Sequence, residues 1–411
     1  MDHHSVSRWS IVMLATADWD NPFWTNKQHT AVELVRQGCR LFYIESLGLR
    51  QPTLKAADRS RMLRRLWRAC MPPRRVRPGL WVWSPLLVPQ RIAGFLFPLN
   101  LLLLNIVLHG WLLLLGFRRP LLWTYNPLTL SWIARHPFCG LVYHCVDDIK
   151  AQPGMDSQRI AKAEVVLMRE ADAVFTTSQA LQDQARVHNR RCFYYPNVVD
   201  VRHFSVARKT GALPLDLRSI PSPRLGFVGA ISGYKLDFDL LADLARRQPG
   251  WQIVMIGSIG EGDPWTDISL LRDLPNVHFL GPKSYGDLPH YLRAFDCALL
   301  PCRHNSYTRA MFPMKFFEYL AAGVPVVSVG LPALAEFRDL AGFVEGADGF
   351  EAAISDVLGR ARSTCLNGSD DAIGLQEIAY YSYERRTSWM LEKLQSLQCI
   401  KPHASSSSAP M

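Results

Sequence analysis

The sequence has no pair of cysteines at CxxC spacing, and its nine cysteines are scattered along 411 residues. Neither a zinc ribbon nor a disulfide framework is therefore indicated, and we expect buried, reduced thiols in a cytosolic protein. The first residues also lack the basic stretch followed by an apolar stretch that marks a secretory signal peptide. With 48% hydrophobic residues, the composition excludes disordered, collagen-like and coiled-coil proteins.

Acidic residues are almost missing from residues 50–91, which hold eleven of the 46 basic residues and one of the 36 acidic residues. The rest of the chain holds 35 of each sign, so this segment accounts for the whole formal charge of +10. Apolar residues within it lie at helical spacing opposite an arginine-rich face, which is typical of an interfacial helix at anionic lipid; a solvated loop is the alternative. The candidate membrane-binding residues are Arg61, Arg64, Arg65, Trp67 and Arg68.

Charged residues are absent from residues 92–117, a stretch long enough to cross a bilayer, which takes about 20 residues. The flanking runs at 80–83 and 121–125 are typical of buried strands, and a single crossing would place them on opposite sides of the membrane. We therefore expect a core helix, or one lying partly in the membrane interface, with a true span as the alternative. Residues 50–117 together form the predicted membrane-facing segment of the first domain.

Short apolar runs alternate with helical patterns along the chain, which is typical of parallel sheets covered on both faces. The runs predict strands at residues 10–16, 40–46, 80–85, 121–126, 140–146, 173–178 and 192–196, and again at 224–229, 252–258, 277–281, 298–301 and 325–329. Helices are predicted at residues 26–37, 159–170, 238–246, 288–295, 313–322 and about 375–397.

The alternation stops at residues 206–223, which are polar and aperiodic. We interpret them as a linker between two α/β domains at 1–205 and 224–370, followed by a helical segment at 371–397 and a disordered tail at 398–411. Two Rossmann-like halves imply a cleft, with ligands at the carboxyl ends of the strands. Loops that follow strands are therefore the places to look for chemistry.

The most specific stretch is PMKFFEYLAAGVPVV at residues 313–327. Pro313 suits the first turn of a helix, and Gly323 suits its left-handed end. A helix start at a cleft offers free N–H groups to an anion, Lys315 would add charge against a diphosphate, and Glu318 could accept hydrogen bonds from ribose hydroxyls. An ordinary surface ion pair would explain the spacing of these two residues as well.

The loop GAISGYK at residues 229–235 follows a predicted strand and precedes a helix. Its small residues Gly229, Ser232 and Gly233 would let backbone N–H groups approach a phosphate, and Lys235 could neutralise the charge. The loop lacks the GxGxxG spacing, so a plain strand-to-helix turn is the alternative.

In the first half, YHCVDD at residues 143–148 ends a predicted strand. His144 could hydrogen-bond a ligand hydroxyl there, and Asp147 or Asp148 could orient a second substrate or act as a base. A packed histidine followed by two capping acids is the alternative, and no further ligand lies at metal-site spacing. Candidate acceptor-binding residues around the first loop, which would otherwise cap the next helix, are Asp18, Asp20 and His29.

Together these segments resemble the GT-B glycosyltransferases, especially retaining family 4 and its teichuronic acid and exopolysaccharide branch. The 313–327 stretch is similar to that family's nucleotide-sugar-binding signature. Other landmarks follow in order: EADAVFTTSQAL at 170–181, PNVVDVRHF at 196–204, GFVG at 226–229 and FDCALLP at 295–301. The resemblance covers about residues 10–395 and implies two Rossmann-like domains facing a central cleft, with the last helix crossing back to the first domain.

The resemblance has one departure. Family 4 enzymes usually carry a Glu eight residues before the signature Glu, and here that position is Ala310. The teichuronic acid and exopolysaccharide branch, which this chain resembles, instead has residues like Asn305 and Thr308 in this region. Asn305 and Thr308 are therefore candidates for donor binding. The resemblance also implies that a histidine like His144 faces the donor sugar. Basic side chains and helix ends, without a metal or other cofactor, would stabilise the departing nucleoside diphosphate.

The sequence thus predicts transfer of a hexose from a nucleotide sugar to a lipid-linked or polysaccharide acceptor in cell-surface polysaccharide synthesis. Retention of configuration is implied by the resemblance alone. The predicted partners are the nucleotide sugar, the acceptor and an anionic membrane surface, without nucleic acid, at the cytoplasmic face of the inner membrane. Two alternatives stay open: a GT-B-like epimerase that needs no acceptor, and a basic nucleic-acid-binding protein.

Overall fold

The computed structural model describes residues 9–21, 23–48, 68, 71–88, 93–367 and 375–397. Two separate, mainly parallel sheets with interleaved helices confirm the predicted α/β fold class. The predicted tail at 398–411 and four of the predicted membrane-binding residues lie outside the described residues; these four are Arg61, Arg64, Arg65 and Trp67.

The first sheet has eight strands in the order β3-β4-β2-β1-β5-β6-β7-β8, and all are parallel except β3. They are β1 Ser10–Leu14, β2 Arg40–Ile44, β3 Arg74–Arg77, β4 Leu80–Trp83, β5 Leu121–Thr124, β6 Gly140–Cys145, β7 Ala173–Thr176 and β8 Cys192–Tyr194. Its helices are α1 Asn26–Arg36, α2 Phe97–Leu114, α3 Thr129–Trp132, α4 Ser157–Glu170 and α5 Gln179–Arg186. Every residue of β5, β6 and β7 is buried, as expected for strands covered on both faces.

The second sheet has six parallel strands in the order β11-β10-β9-β12-β13-β14. They are β9 Arg224–Val228, β10 Gln252–Ile256, β11 Val277–Gly281, β12 Cys297–Leu300, β13 Val326–Ser328 and β14 Gly342–Phe343. After α6 Val201–Phe204, the helices are α7 Phe238–Arg247, α8 Ser269–Arg272, α9 Leu288–Leu292, α10 Ser306–Ala310, α11 Lys315–Ala322, α12 Gly346–Asn367, α13 Leu375–Ala379 and α14 Tyr383–Ser396.

The polar stretch at 206–223 is more than a spacer. Ala207, Leu217 and Ile220 are buried in the core of the second domain. Arg208 donates hydrogen bonds from Nε to the carbonyl of Ala321 at 2.9 Å and from Nη2 to that of Leu320 at 2.8 Å. The segment interpreted as a linker therefore packs on the second domain, because its few apolar side chains find a core there.

Helix α14 lies against α1 of the first domain, and its residues Met390, Leu391 and Leu394 are buried in the core beneath that helix. Arg386 of α14 is fully buried and donates hydrogen bonds to Asn26 Oδ1 and Thr30 Oγ1, both at 3.0 Å. The last helix thus fixes the position of α1, which begins at the cleft.

Helix α2 is apolar on two sides. Leu104, Leu108 and Leu112 form a buried stripe against the first sheet. Seven other apolar residues face outward, with exposures of 44 to 78%: Leu99, Leu102, Leu103, Ile106, Val107, Leu113 and Leu114. The predicted core helix therefore describes one stripe of α2 only. Residues Gly94–Leu114 are long and apolar enough to cross a membrane by length and composition alone.

Candidate active site

Helix α11 places the predicted donor-binding pair at the face of the second domain that meets the first. Lys315 Nζ lies 2.6 Å from Glu318 Oε2, and the Glu318 side chain is only 5% exposed. The pair is therefore not an ordinary surface ion pair. Burial raises the pKa of Glu318, while the Lys315 ammonium acts in the opposite direction.

The position of α11 follows from local sequence and from contacts with the second sheet. Gly323, at φ +78°, ends the helix in the left-handed conformation that glycine adopts without strain. The backbone N–H of Val228, at the end of β9, donates a 2.8 Å hydrogen bond to the hydroxyl of Tyr319. This bond joins the donor-binding helix to the strand that leads into the 229–235 loop.

Aromatic side chains from both domains cover the Lys315–Glu318 pair. Tyr285 and Tyr383 both lie within electrostatic reach of Glu318, and Tyr285 stacks on His203 with ring centroids 4.2 Å apart. His29 stacks on Tyr383 at 4.5 Å, and burial followed by the charge of Lys315 lowers the pKa of His29 to about 3. His29, predicted to bind an acceptor, thus lies as a neutral ring beside the donor-binding pair.

In the 229–235 loop, two of the predicted phosphate contacts already have partners. Ser232 Oγ donates to the carbonyl of Glu261 at 2.6 Å, and the N–H of Gly233 donates to Thr266 Oγ1 at 3.1 Å. Gly229 has φ +155°, a conformation that a side chain would strain. Lys235 Nζ remains at the cleft, 5.3 Å from the Tyr234 ring centroid and 5.5 Å from that of Tyr307.

Asn305 and Thr308 hold the start of α10. Each caps the other's backbone N–H, and Asn305 Nδ2 donates a 2.7 Å hydrogen bond to the carbonyl of Tyr234. These contacts fix Tyr307, between them, next to Lys235. In the structure, both residues thus position Tyr307, and Asn305 also holds the loop that carries Lys235.

Ala310 occupies the position where the resembled family usually has a Glu. It is 2% exposed and packs with the core of the first domain, and its carbonyl accepts a 2.7 Å hydrogen bond from Ser178 Oγ. Asn197 Nδ2 likewise donates to the carbonyl of Phe312 at 2.6 Å. This segment joins the two domains, so an acidic side chain at position 310 would be buried in an apolar core rather than presented to a sugar.

The two acids after β6 differ in their surroundings. Asp147 is partly exposed at the cleft, and its Oδ1 accepts a 3.1 Å hydrogen bond from Tyr307 of the second domain. Asp148 is 6% exposed and pairs with Lys150, whose ammonium lies 2.8 Å from Asp148 Oδ1 and 3.2 Å from Glu164 Oε2. Asp147 is thus placed to meet a ligand, whereas Asp148 has an internal counter-ion.

His144 lies in β6 beneath the cleft and is fully buried. Its ring stacks on Tyr125 at 4.8 Å, and its two nitrogens bond none of the described groups. Burial lowers the pKa of His144 well below its usual value, so the ring is neutral. The Tyr125 ring therefore covers one face of this histidine.

The first loop separates the remaining acceptor candidates. Asp18 accepts a 3.0 Å hydrogen bond at its backbone carbonyl from Gln28 of α1. Asp20 is exposed and pairs with Arg74 at 2.7 Å and with Arg68 at 3.1 Å. Asp20 therefore connects the loop to the basic segment, and Arg68, predicted to bind membrane, has a carboxylate partner in the structure.

Several cleft residues had no local signal in the sequence. Lys27, at the start of α1, is 9% exposed and lies over the Tyr125 ring with Nζ 5.7 Å from its centroid. Tyr307, Tyr285 and Arg386 reach the site from segments more than 100 residues away from α1. In the part of the chain that the structure describes, no three His, Cys, Asp or Glu side chains cluster at metal-binding distance.

Residues 222–360 match the family model described as glycosyl transferases group 1. TuaH of Bacillus subtilis, whose name assigns it to teichuronic acid biosynthesis as a glycosyltransferase, is 32% identical over 213 residues. That alignment covers 49% of this chain and 52% of TuaH, so the chain spans about half the length of this curated relative.

Solved structures of similar fold cover almost the whole chain. Sucrose-phosphate synthase of Thermosynechococcus elongatus has a TM-score of 0.63 at 16% identity, covering 94% of this chain and 99% of that one. HepE of Anabaena, in complex with UDP and glucose, has a TM-score of 0.64 at 17% identity, covering 94% and 100%. Trehalose-6-phosphate synthase of Burkholderia multivorans has a TM-score of 0.60 at 13% identity, covering 95% of this chain and 99% of that one. The chain therefore has the GT-B fold, and its second domain carries the match to group 1 glycosyl transferases.

Proposed function

We propose that the protein is a glycosyltransferase that moves a hexose from a nucleotide sugar to a lipid-linked or polysaccharide acceptor, with retention, in cell-surface polysaccharide synthesis. The observation that carries the proposal is the buried Lys315–Glu318 pair at the domain face. A buried carboxylate that keeps one oxygen for a ligand suits the neighbouring hydroxyls of a ribose. The match of residues 222–360 to group 1 glycosyl transferases supports the same assignment.

The charges around the cleft suit a nucleoside diphosphate as the leaving group. Lys315 and Lys235 both belong to the second domain, and both lie on loops or helix starts at the carboxyl ends of its strands. Breaking the bond between sugar and diphosphate leaves negative charge on the phosphate oxygens, which fixed ammonium groups stabilise best where water is excluded. HepE, which shares the fold, has been crystallised with UDP and glucose.

The acceptor would enter from the first domain, where Asp147 lies at the cleft. A carboxylate at this place can accept the hydrogen bond of an acceptor hydroxyl and orient its oxygen toward the sugar. His29, in the same domain, adds a neutral ring near Lys315. His144 would act only from beneath Tyr125, so we assign it a supporting part in this proposal.

The test is sugar transfer with purified protein and membranes that contain acceptor, using UDP, GDP, dTDP and CMP sugars in parallel. Glu318→Ala should abolish transfer from whichever donor the wild type uses. The matched control is Asp356→Ala, which removes the acid of an exposed i,i+4 pair with Arg360 in the same domain. Undiminished transfer by Glu318→Ala would contradict the proposal, and turnover of the nucleotide sugar without acceptor would favour an epimerase.

We also propose that the protein works at the cytoplasmic face of the inner membrane, bound through the outward side of α2. Strands β4 and β5, which flank α2 in the chain, belong to one sheet with β2 and β1 between them. A helix that crossed the membrane would separate these two strands. An orientation along the surface keeps the sheet intact and still removes the exposed leucines from water.

Basic residues accompany the exposed face of α2. Arg118 and Arg119 follow the helix and are exposed, as are Arg74, Arg75 and Arg77 on the edge strand β3. Arg75 lies over the Trp81 ring at 5.7 Å, and Arg40, over the same ring at 5.4 Å, donates a 2.7 Å hydrogen bond to the carbonyl of Leu115. Strand β3 and the end of α2 are thus neighbours. This places exposed arginines beside exposed leucines, a combination that suits binding to anionic lipid.

Flotation with vesicles tests this location. Wild-type protein should float with phosphatidylglycerol vesicles and poorly with phosphatidylcholine vesicles. Leu102→Glu with Ile106→Glu should cut flotation at least tenfold, since it places two carboxylates on the outward face. The control, Val166→Glu with Val187→Glu, changes exposed apolar residues elsewhere in the first domain. Binding to DNA at matched salt without binding to vesicles would contradict the location.

A further inference from the structure

Lys27 is a buried cation that the proposed reaction has not yet used. It lies in the first turn of α1, an 11-residue helix, and is 91% buried. Its ammonium lies over the Tyr125 ring, and none of the described residues gives it a hydrogen bond or an ion pair. Removing most of the water around an ammonium without supplying a partner is unfavourable, so the position requires an explanation.

Charges from both domains act on Lys27. They belong to Asp147, at the end of β6, and to Lys235, in the second domain. Asp147 is bonded to Tyr307, and Lys235 lies over the Tyr307 ring. Lys27 therefore lies within electrostatic reach of two cleft residues that both contact Tyr307.

The cleft at this point carries more positive than negative charge. Two ammonium groups, from Lys27 and Lys235, face one carboxylate, Asp147, which also accepts the hydrogen bond from Tyr307. Burial lowers the pKa of Lys27, and the charge of Asp147 opposes this shift only in part. The amino end of α1 adds a positive potential of its own. A ligand with two or more negative charges would balance the group.

We propose that Lys27 binds phosphate, and that it and Lys235 hold one phosphate-bearing ligand from opposite sides of the cleft. The inference rests on the proposed function in one respect: the phosphate is either the diphosphate of the nucleotide-sugar donor or that of a lipid-linked acceptor. In both cases the ligand joins the two domains. Its binding energy would favour the closed cleft in which sugar transfer is protected from water.

A purely structural part for Lys27 predicts a different behaviour. If the ammonium stabilises the fold through Tyr125, then Lys27→Met should lower the melting temperature. If the ammonium serves to bind an anion, then Lys27→Met removes a charge that has no partner in the ligand-free protein. The melting temperature of the ligand-free protein should then stay the same or rise. The aliphatic chain of methionine fills nearly the same space, so the variant keeps the packing against Tyr125.

Calorimetry with inorganic pyrophosphate, UDP and uridine tests the proposal directly on the full chain. Lys27→Met should weaken pyrophosphate binding by about tenfold or more, as expected for loss of one charge-assisted bond, and leave uridine binding unchanged. Lys27→Arg keeps the charge and should retain most of the affinity. The control is Lys162→Met, an exposed lysine on α4.

The arms of the experiment separate the two sources of phosphate. If the donor supplies it, UDP affinity falls together with pyrophosphate affinity, and the effects of Lys27→Met and Lys235→Met are not additive. If the acceptor supplies it, UDP affinity is unchanged, while the KM for lipid-linked acceptor rises. Pyrophosphate affinity within twofold of the wild type, or a lowered melting temperature with unchanged binding, would overturn the inference. Failure of the wild type to bind any nucleotide would instead count against the proposed function.

Discussion

The hydroxyl of Tyr307 in the second domain donates a 3.1 Å hydrogen bond to Oδ1 of Asp147 in the first. Burial, followed by the charge of Asp147, raises the pKa of Tyr307 well above its usual value, so the phenol keeps its proton at neutral pH. This bond spans the cleft between the two domains. A ligand that enters between the domains therefore meets a carboxylate whose orientation is already set by the opposite domain.

Replacing each of the two neighbouring acids by its amide should have different effects, one on activity and the other on stability. Asp147→Asn should lower kcat by about 100-fold or more, the range for loss of a group that moves or orients a proton, with little change in melting temperature. Asp148→Asn, which removes one of the two carboxylates paired with Lys150, should lower the melting temperature and leave kcat within a few-fold. Steady-state kinetics and thermal unfolding of both variants provide the check. The reverse pattern would show that Asp148 is the residue at the reaction.

Stability should fall at acidic pH because of His29. Its pKa is about 3 in the folded protein and 6.5 in the unfolded chain, so below 6.5 only the unfolded chain takes up the proton. The stabilisation is complete above pH 6.5 and is lost as the pH falls. Between pH 7 and 5 the loss is about 2 kcal/mol.

Urea unfolding at both pH values measures this loss. The His29→Gln variant lacks the titrating ring and should lose correspondingly less stability than the wild type over the same interval. Equal losses in the two proteins would contradict the burial of a neutral ring at this position.

The buried guanidinium of Arg386 should contribute far more to the free energy of unfolding than the exposed guanidinium of Arg385. Arg386→Met leaves Asn26 and Thr30 without their donor, and we expect a loss of about 2 kcal/mol in the free energy of unfolding. The matched control is Arg385→Met, because Arg385 is exposed on the same helix and should change stability by less than about 0.5 kcal/mol. Chemical denaturation measures both, and similar losses would contradict the anchoring of α1 by α14.

A methyl group at Gly257 should disturb the loop that carries Lys235. A Cβ there would stand 1.8 Å from the carbonyl oxygen of Gly229, at a φ of +149° that side chains avoid. Gly257→Ala should therefore displace the start of the 229–235 loop and weaken UDP-sugar binding by about tenfold or more. Gly250→Ala, with nothing within 4 Å of its Cβ, is the control. The measurement is the rise in melting temperature that a UDP-sugar produces in each variant. A rise in Gly257→Ala equal to that of the wild type would contradict the prediction.

The strands were predictable because their burial on both faces leaves long apolar runs. Most predicted strands match the observed ones to within two residues. Strand β3 could not be found this way, since Arg74–Arg77 has the sequence RRVR and pairs on one side only, at an exposed edge. Lys315 and Glu318 could be paired from their spacing, because three residues along a helix return to the same face.

Residues whose partners are distant in the chain could not be paired from the sequence. Lys27, Tyr307 and Arg386 carry no motif, and their contacts join segments 100 to 360 residues apart. Likewise, Asp147 and Asp148 are chemically identical neighbours. Only the positions of Tyr307 and Lys150 distinguish them.

The sequence alone determined the α/β architecture, the end of helix α11 at Gly323, and the concentration of excess charge in one segment, because periodicity, capping residues and composition are local properties. The tertiary structure decided which acid faces the cleft, that none of the described residues forms an ion pair with Lys27, and that the second apolar side of α2 is uncovered. Burial and ion pairing depend on what packs against a residue from elsewhere in the chain. A sequence pattern shows which side of a helix is apolar, but only the assembled fold shows what covers it.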